Sequence, residues 1–309
     1  LKWGNLLLSA ISFTIYYVNR YFLIRYLGDA ARYFSGDPEH VNMRNEILKD
    51  GVDFIKHISE SGKYGRIIVV GHSLGSVIAY DLLKYVWADY NTQHNKPEKI
   101  DTQALKELEK MINNWPADPS VETVKKFQAL QEKLWAQQRL HGNPWLITDL
   151  ITLGSPLTHA PFLLSNNNQE FTVRKNDREL PTCPPVMENG KIHFYHKSKD
   201  FINENGERRS IYNLHHAAGF GPTRWTNLYF KVDLIGGPLQ TVFGKGIKDI
   251  EVKLSSWLEL PVAHTKYWDC RPFRERRSEL PLKSSTRQLL ESMHLNRRTL
   301  LEEVDKAKT

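Results

Sequence analysis

Five consecutive residues, Gly71, His72, Ser73, Leu74 and Gly75, carry the strongest chemical signal in the chain. They follow Arg66 to Val70 (RIIVV), a β-branched run of the kind a parallel sheet buries on both faces, and precede an apolar helical stretch from Ser76 to Tyr90. A serine on so tight a strand-to-helix turn is pushed outward, because glycines two positions to either side let the backbones close in around it. Its hydroxyl then stands at a helix N-terminus, where the Leu74 N–H and the helix dipole can stabilise a developing oxyanion. The implied chemistry is nucleophilic attack on an acyl carbon. The alternative is a glycine-rich turn whose serine only caps the helix.

A serine hydroxyl needs a base, and the base needs a carboxylate to orient it. With the nucleophile on such a turn, acid and base belong on loops beyond the carboxyl ends of later strands, the acid first in chain order. Asp233 is the preferred acid, since it ends the strand-like Thr226 to Val232 and precedes a turn of Ile235, Gly236, Gly237 and Pro238. Asp200 is its rival, and Asp149 is disfavoured because it falls inside a strand. His264 is the preferred base: it follows the last strand candidate, Ile250 to Leu254, on a loop that also holds Pro261 and Tyr267.

The remaining histidines have lesser roles. His72 and His159 are expected beside the substrate, together with the apolar Leu157, Phe162, Leu163 and Leu164, while His215 and His216 fall in an irregular stretch. His193 and His196 are three apart in a strand candidate, so they point to opposite faces and make a poor metal pair. No metal and no cofactor is expected, and neither phosphate-cradling glycine motif occurs. The two cysteines, Cys183 and Cys270, allow at most one bridge and leave the redox compartment undecided.

The elements that must position these residues divide the chain into four segments. Residues 1–90 hold N-terminal helices, among them Asn42 to Glu60, and the nucleophile strand. Residues 91–143 read as a helical insertion over the sheet's carboxyl edge, with helices at Asp101 to Asn113 and Ser120 to Leu140. Residues 144–270 open with a second buried strand, Trp145 to Leu153, then make a long excursion from Asn166 to Gly221 with little regular structure and short strands at Glu170 to Arg174 and Lys191 to His196. Residues 271–309 read as a basic tail carrying a solvated helix from Ser285 to Val304. The fold class is α/β with a mostly parallel sheet.

A chain of 309 residues with 40% hydrophobic and 25% charged residues can bury a substantial core, which excludes wholesale disorder and a polytopic membrane protein. Its net charge of +7 is not spread evenly: Arg271 onward holds ten Lys/Arg against six Asp/Glu, leaving a nearly neutral body and no nucleic-acid module. The uncharged stretch from Trp3 to Val18 is only 16 residues, short of the roughly 20 a spanning helix needs. It reads as an aromatic-rich helix packed on the core, with membrane-surface contact through residues 1–27 as the alternative. No cleavage site follows it, so a cytoplasmic protein is the expectation, with membrane association as the alternative.

RIIVVGHSLGSVIAYDLL, WLITDLITLGSPLTHAPFLL, RWTNLYFKVDLIGGPL and AHTKYW together resemble bacterial lipase-like α/β-hydrolases over roughly residues 26–268. The resemblance implies a reduced α/β-hydrolase sheet with a helical cap, Ser73 as nucleophile, Asp233 as acid, His264 as base and Leu74 as an oxyanion donor, acting on a small-molecule or lipid ester. It departs from the family upstream of Ser73, where no strand ending in a His-Gly motif supplies the second oxyanion N–H. The nucleophile strand is therefore expected at a sheet edge, covered by the N-terminal helix or by a second copy of the chain. Acyl transfer, thioester hydrolysis and a weakly active membrane-associated scaffold remain open alternatives.

Overall fold

The computed structural model describes residues 24–93, 103–140, 143–202, 206, 208–254, 257–268 and 284–295, with 9, 12 and 13. In chain order, helices α1 (Ile24–Phe34) and α2 (Pro38–Glu60) lead to strand β1 (Ile67–His72) and helix α3 (Leu74–Gln93). Helices α4 (Gln103–Asn113) and α5 (Val121–Leu140) precede strand β2 (Ile147–Leu153). Helix α6 (Asn168–Asn176) then leads to the hairpin of β3 (His193–Ile202) and β4 (Arg208–Leu214). Strands β5 (Arg224–Phe230) and β6 (Lys248–Val252) follow, then a 3-10 helix (Trp257–Trp268) and α7 (Ser285–Met293).

Strands β1, β2, β5 and β6 form one parallel sheet in that order. The fold is α/β. Strand β1 pairs only with β2 among the described residues, so the serine-bearing strand stands at an edge. Its residues are correspondingly half-buried except Gly71, against the expectation of burial on both faces. β2, flanked on both sides, is buried throughout. Most of the N-terminal segment, residues 1–23, lies outside the described residues, and with it the expected cover for the β1 edge. Among the described residues no helix is long and apolar enough to cross a membrane.

One sheet face packs under α3 and α5 in a core that includes Trp87, Trp135, Trp145, Trp225, Tyr80 and Phe243. Trp225 lies 4.6 Å from the Phe220 ring and 5.5 Å from Tyr80, the offset contact aromatic quadrupoles favour. The other face carries Ile151, Leu153, Leu228, Phe230 and Val252 and is covered by the 3-10 helix and α7. The tail helix is thus not the solvated one expected. Leu289 is buried against the sheet, and the Arg66 guanidinium, from the residue before β1, donates to the Met293 and His294 carbonyls at 3.0 and 2.9 Å, satisfying acceptors that a helix end leaves open.

The insertion at 91–143 is also placed differently. Its described helices pack on a sheet face toward the amino end of β5 instead of over the carboxyl edge: Gln131 Nε2 donates to the Phe220 and Thr223 carbonyls, and Arg224 at the amino end of β5 meets Glu132 at 3.0 Å. The apolar faces of α4 and α5, including Leu105, Leu108, Phe127 and Leu134, find no burial in solvent and so join the main core. Buried Asp149, bound by Arg224 at 2.8 and 2.9 Å, belongs to the same structural network.

The excursion from 166 to 221 is more regular than expected. Glu170 to Arg174 is helical: Asn167 caps α6 by accepting from Glu170 N, and Glu170 reaches back to Asn166 N. Burial of Phe171 against Phe243 outweighs the strand preference of its β-branched neighbours. The hairpin docks through Glu109 of α4, which accepts from His193 Nδ1 at 2.6 Å, Ile192 N at 2.9 Å and Lys191 Nζ at 3.2 Å. Burial pushes the Glu109 carboxyl up, but these donors outweigh it and hold its pKa below 4.5. Its contribution is complete above that value and is lost as pH falls through the depressed one. Glu109→Gln is expected to cost about 2–4 kcal/mol of stability at neutral pH by leaving buried donors unpaired, with the difference closing in strong acid; urea unfolding across pH measures both.

Candidate active site

Ser73 and Asp233 sit just beyond the carboxyl ends of β1 and β5, and His264 lies in the 3-10 helix that follows β6. Ser73 follows β1 and has φ of 53°, the left-handed region that costs a side-chain-bearing residue energy. The turn is held in that shape from three sides. Ser73 N donates to the Leu153 carbonyl at 3.0 Å, Ser76 N donates to the Ser73 carbonyl at 2.9 Å, and Ser76 Oγ lies 2.6 Å from both that carbonyl and Ser155 Oγ. Ser76 and Ser155 were not singled out from the sequence.

The two glycines of the motif differ. A Cβ on Gly71 would come within 2.5 Å of Ser76 Cα, whereas one on Gly75 would meet nothing within 4 Å. Close approach therefore requires glycine only at 71. Gly71→Ala is expected to disrupt the turn and Gly75→Ala to leave folding intact, which thermal unfolding of the two variants would separate by about 2 kcal/mol or more.

Asp233 is the third residue after the end of β5, in the turn that follows. That turn nests against β2 because Gly154 and Gly236 both lack side chains: a Cβ on Gly236 would meet Gly154 Cα at 2.3 Å, and one on Gly154 would meet Tyr267 and Asp233. His264 lies in the 3-10 helix where a loop was expected. Its Nδ1 is 2.9 Å from Asp233 Oδ2, and its Nε2 is 2.8 Å from Ser73 Oγ. A carboxylate only accepts, so Nδ1 carries the proton and Nε2 is left to accept from the serine hydroxyl. The fold thus brings together Ser73, His264 and Asp233 from positions 191 and 31 residues apart.

The chain matches no family model, no curated protein and no solved structure.

The carboxylate is fully engaged. Asp233 Oδ1 accepts from Ile235 N at 2.9 Å, and Oδ2 also accepts from the Tyr267 hydroxyl at 2.9 Å, which itself receives Phe230 N–H. Burial pushes the Asp233 carboxyl up, but the His264 hydrogen bond and the other donors outweigh it and hold its pKa below the ordinary 3.8. Burial and the adjoining Asp233 charge push the Tyr267 phenol up, keeping it a donor. Sequence reading placed Tyr267 only on the loop; nothing in its spacing from Asp233 marked it as a partner. The rival acid Asp200 falls in β3, in the separate two-stranded sheet.

The residues expected to bind substrate are mostly employed elsewhere. His72 Nε2 donates to the His264 carbonyl at 2.9 Å, and its ring lies 5.0 Å from that of His264, so it braces the His264 ring. Burial lowers its pKa and favours the neutral ring. His159 donates to the Leu234 carbonyl at 3.2 Å and ties down the turn that carries Asp233. Leu157 is wholly buried in the main core, because the Pro156–His159 turn folds under α3; Phe162 points outward, 79% exposed. His215 and His216 donate to the Val186 and Arg178 carbonyls, and burial lowers His215 to about 4. Cys183 is a buried free thiol, while Cys270 lies outside the described residues. Among the described residues no group of three or more His, Cys, Asp or Glu could hold a metal ion.

Proposed function

We propose that the chain is a serine hydrolase of carboxylic esters with an α/β-hydrolase type of core. The observation that carries this reading is the hydrogen-bonded series Ser73 Oγ, His264 Nε2, His264 Nδ1, Asp233 Oδ2, with links of 2.8 and 2.9 Å, on a serine held at positive φ. A structural serine has no need of a buried histidine already backed by a buried carboxylate. The parallel order β1, β2, β5, β6, with serine, acid and base following β1, β5 and β6 in chain order, further supports it.

In the proposed reaction Ser73 Oγ attacks the ester carbonyl carbon while His264 Nε2 takes its proton. The oxyanion forms at the N-terminus of α3, where Leu74 N–H has no intrahelical acceptor and the helix dipole favours negative charge. His264 returns the proton to the departing alcohol, leaving an acyl-Ser73. Water, deprotonated by His264, then releases the carboxylic acid and restores the serine. Asp233 stays ionised throughout, holding the imidazole's tautomer and stabilising its charged form, with Tyr267 and Ile235 N–H fixing the carboxylate's rotation.

Reaction with a fluorophosphonate probe tests the reading. Stoichiometric labelling at Ser73, together with turnover of p-nitrophenyl esters, is the expected result. An unlabelled serine and no turnover would remove it.

A further inference from the structure

A cavity of about 270 Å³ opens between Leu74 and helices α1 and α2. Leu74 follows Ser73 directly, with adjacent Cα atoms about 3.8 Å apart, so the cavity adjoins the reacting serine. Met43, Ile47 and Leu74 give it an apolar side, and the rest of its lining is polar: Asp29, Arg32, Tyr33, His40 and Arg44. Two of these charges cancel, since Asp29 and Arg32 pair at 2.9 Å on an exposed rim. Arg44 is not cancelled. No carboxylate lies within ion-pair distance of its guanidinium among the described residues; Nη1 donates to the Tyr33 carbonyl at 2.9 Å, and the group stands 5.9 Å from the Tyr33 ring centre. These contacts hold the fork in place and leave its remaining N–H donors without an acceptor among the described residues. Asp81 of α3 accepts from the Tyr33 hydroxyl at 2.8 Å, and burial pushes its carboxyl up, which makes it a weak counter-charge for Arg44. His40, one helical turn before Arg44, keeps Nδ1 buried without a hydrogen bond, the Asp37 carboxylate standing off at 3.6 Å.

We infer that this cavity recognises a carboxylate on the acid portion of the substrate, so that the chain cleaves half-esters of dicarboxylic acids, with Arg44 as the specificity-determining residue. The inference rests on the ester-hydrolase reading and gives it a substrate class. A planar guanidinium with unused donors matches a carboxylate by paired N–H···O bonds, which are stronger than neutral ones. The His40 ring lies beside that fork, and Leu74, Met43 and Ile47 cover the methylenes between the carboxylate and the ester. A neutral ester would leave the Arg44 charge without an anion in a partly desolvated site, so the discrimination is against substrates that lack the second carboxylate.

Mono-p-nitrophenyl glutarate and p-nitrophenyl pentanoate differ only in a terminal carboxylate against a methyl group, and the ratio of their kcat/KM values tests this. The native chain is expected to favour the half-ester by about tenfold or more, and Arg44→Gln to lower the ratio by a similar factor. His40→Ala, which leaves the Tyr33 carbonyl its donor, is expected to lower it in the same direction. Binding of monomethyl glutarate to the Ser73→Ala chain, followed by calorimetry against methyl pentanoate, gives a readout that needs no turnover, and adding Arg44→Gln is expected to weaken it about tenfold. A native chain that turns over the neutral ester as well as the half-ester would overturn the assignment, as would a preference and a monomethyl glutarate affinity untouched by both substitutions. Half-ester binding that responds to Arg44→Gln in a chain whose Ser73 is not labelled by a fluorophosphonate supports the carboxylate site and removes the hydrolase reading alone.

Discussion

Ser73→Ala is expected to lower kcat for p-nitrophenyl esters by about 10⁶, to the level that binding and the helix N-terminus sustain without a nucleophile. The magnitude follows from removing the one atom that forms the acyl-enzyme, after which His264 and Asp233 have no hydroxyl to activate. Folding should survive: Ser73 Oγ has His264 as its partner, whereas the turn is held by the backbone N–H and carbonyl of residue 73 with Leu153 and Ser76. Alanine keeps those and the positive φ. Steady-state turnover of the variant beside its unfolding curve separates the two effects; substantial retained turnover with Ser73 absent would place the chemistry elsewhere.

Asp233→Asn should lower kcat by about 10⁴. The native carboxylate accepts from His264 Nδ1–H, the Tyr267 hydroxyl and Ile235 N–H. An amide offers one oxygen to these three donors and adds an N–H of its own, so His264 is drawn toward the tautomer with hydrogen on Nε2, which cannot accept the serine proton. A buried donor is also left without a partner, at about 1–3 kcal/mol. The predicted signature is a large fall in kcat with a modest loss of stability in urea. Equal activity of Asn and Asp at 233 would exclude it as the orienting acid. Acidification offers a milder check: the native carboxyl is held below 3.8, so its contribution is complete above that value and is lost only as pH falls through the depressed one.

Local sequence determined the elements that carry the site. RIIVV entering a glycine specified β1, the apolar stretch after Gly75 specified α3, and the chain order of serine, aspartate and histidine was legible because each residue ends or follows a β-like run. Where local signals competed, they misled. Glu170 to Arg174 has strand-forming residues, but the cap at Asn167 and the buried Phe171 make it helical. The tail's charge suggested a solvated helix, but the second sheet face needed a cover and Leu289 supplies part of it. A helix's own sequence records its apolar stripe, not the surface that will bury it.

The sequence by itself determined the α/β class, the parallel strands and the three residues that meet, because strand and helix periodicities and turn chemistry are local. Only the tertiary structure decided the second layer of the site: Tyr267 on Asp233, His72 on the His264 carbonyl, and Ser76 and Ser155 beneath the turn. These depend on hydrogen bonds and packing between segments distant in the chain. Such contacts arise from the geometry of the folded backbone, and no spacing along a single sequence encodes them.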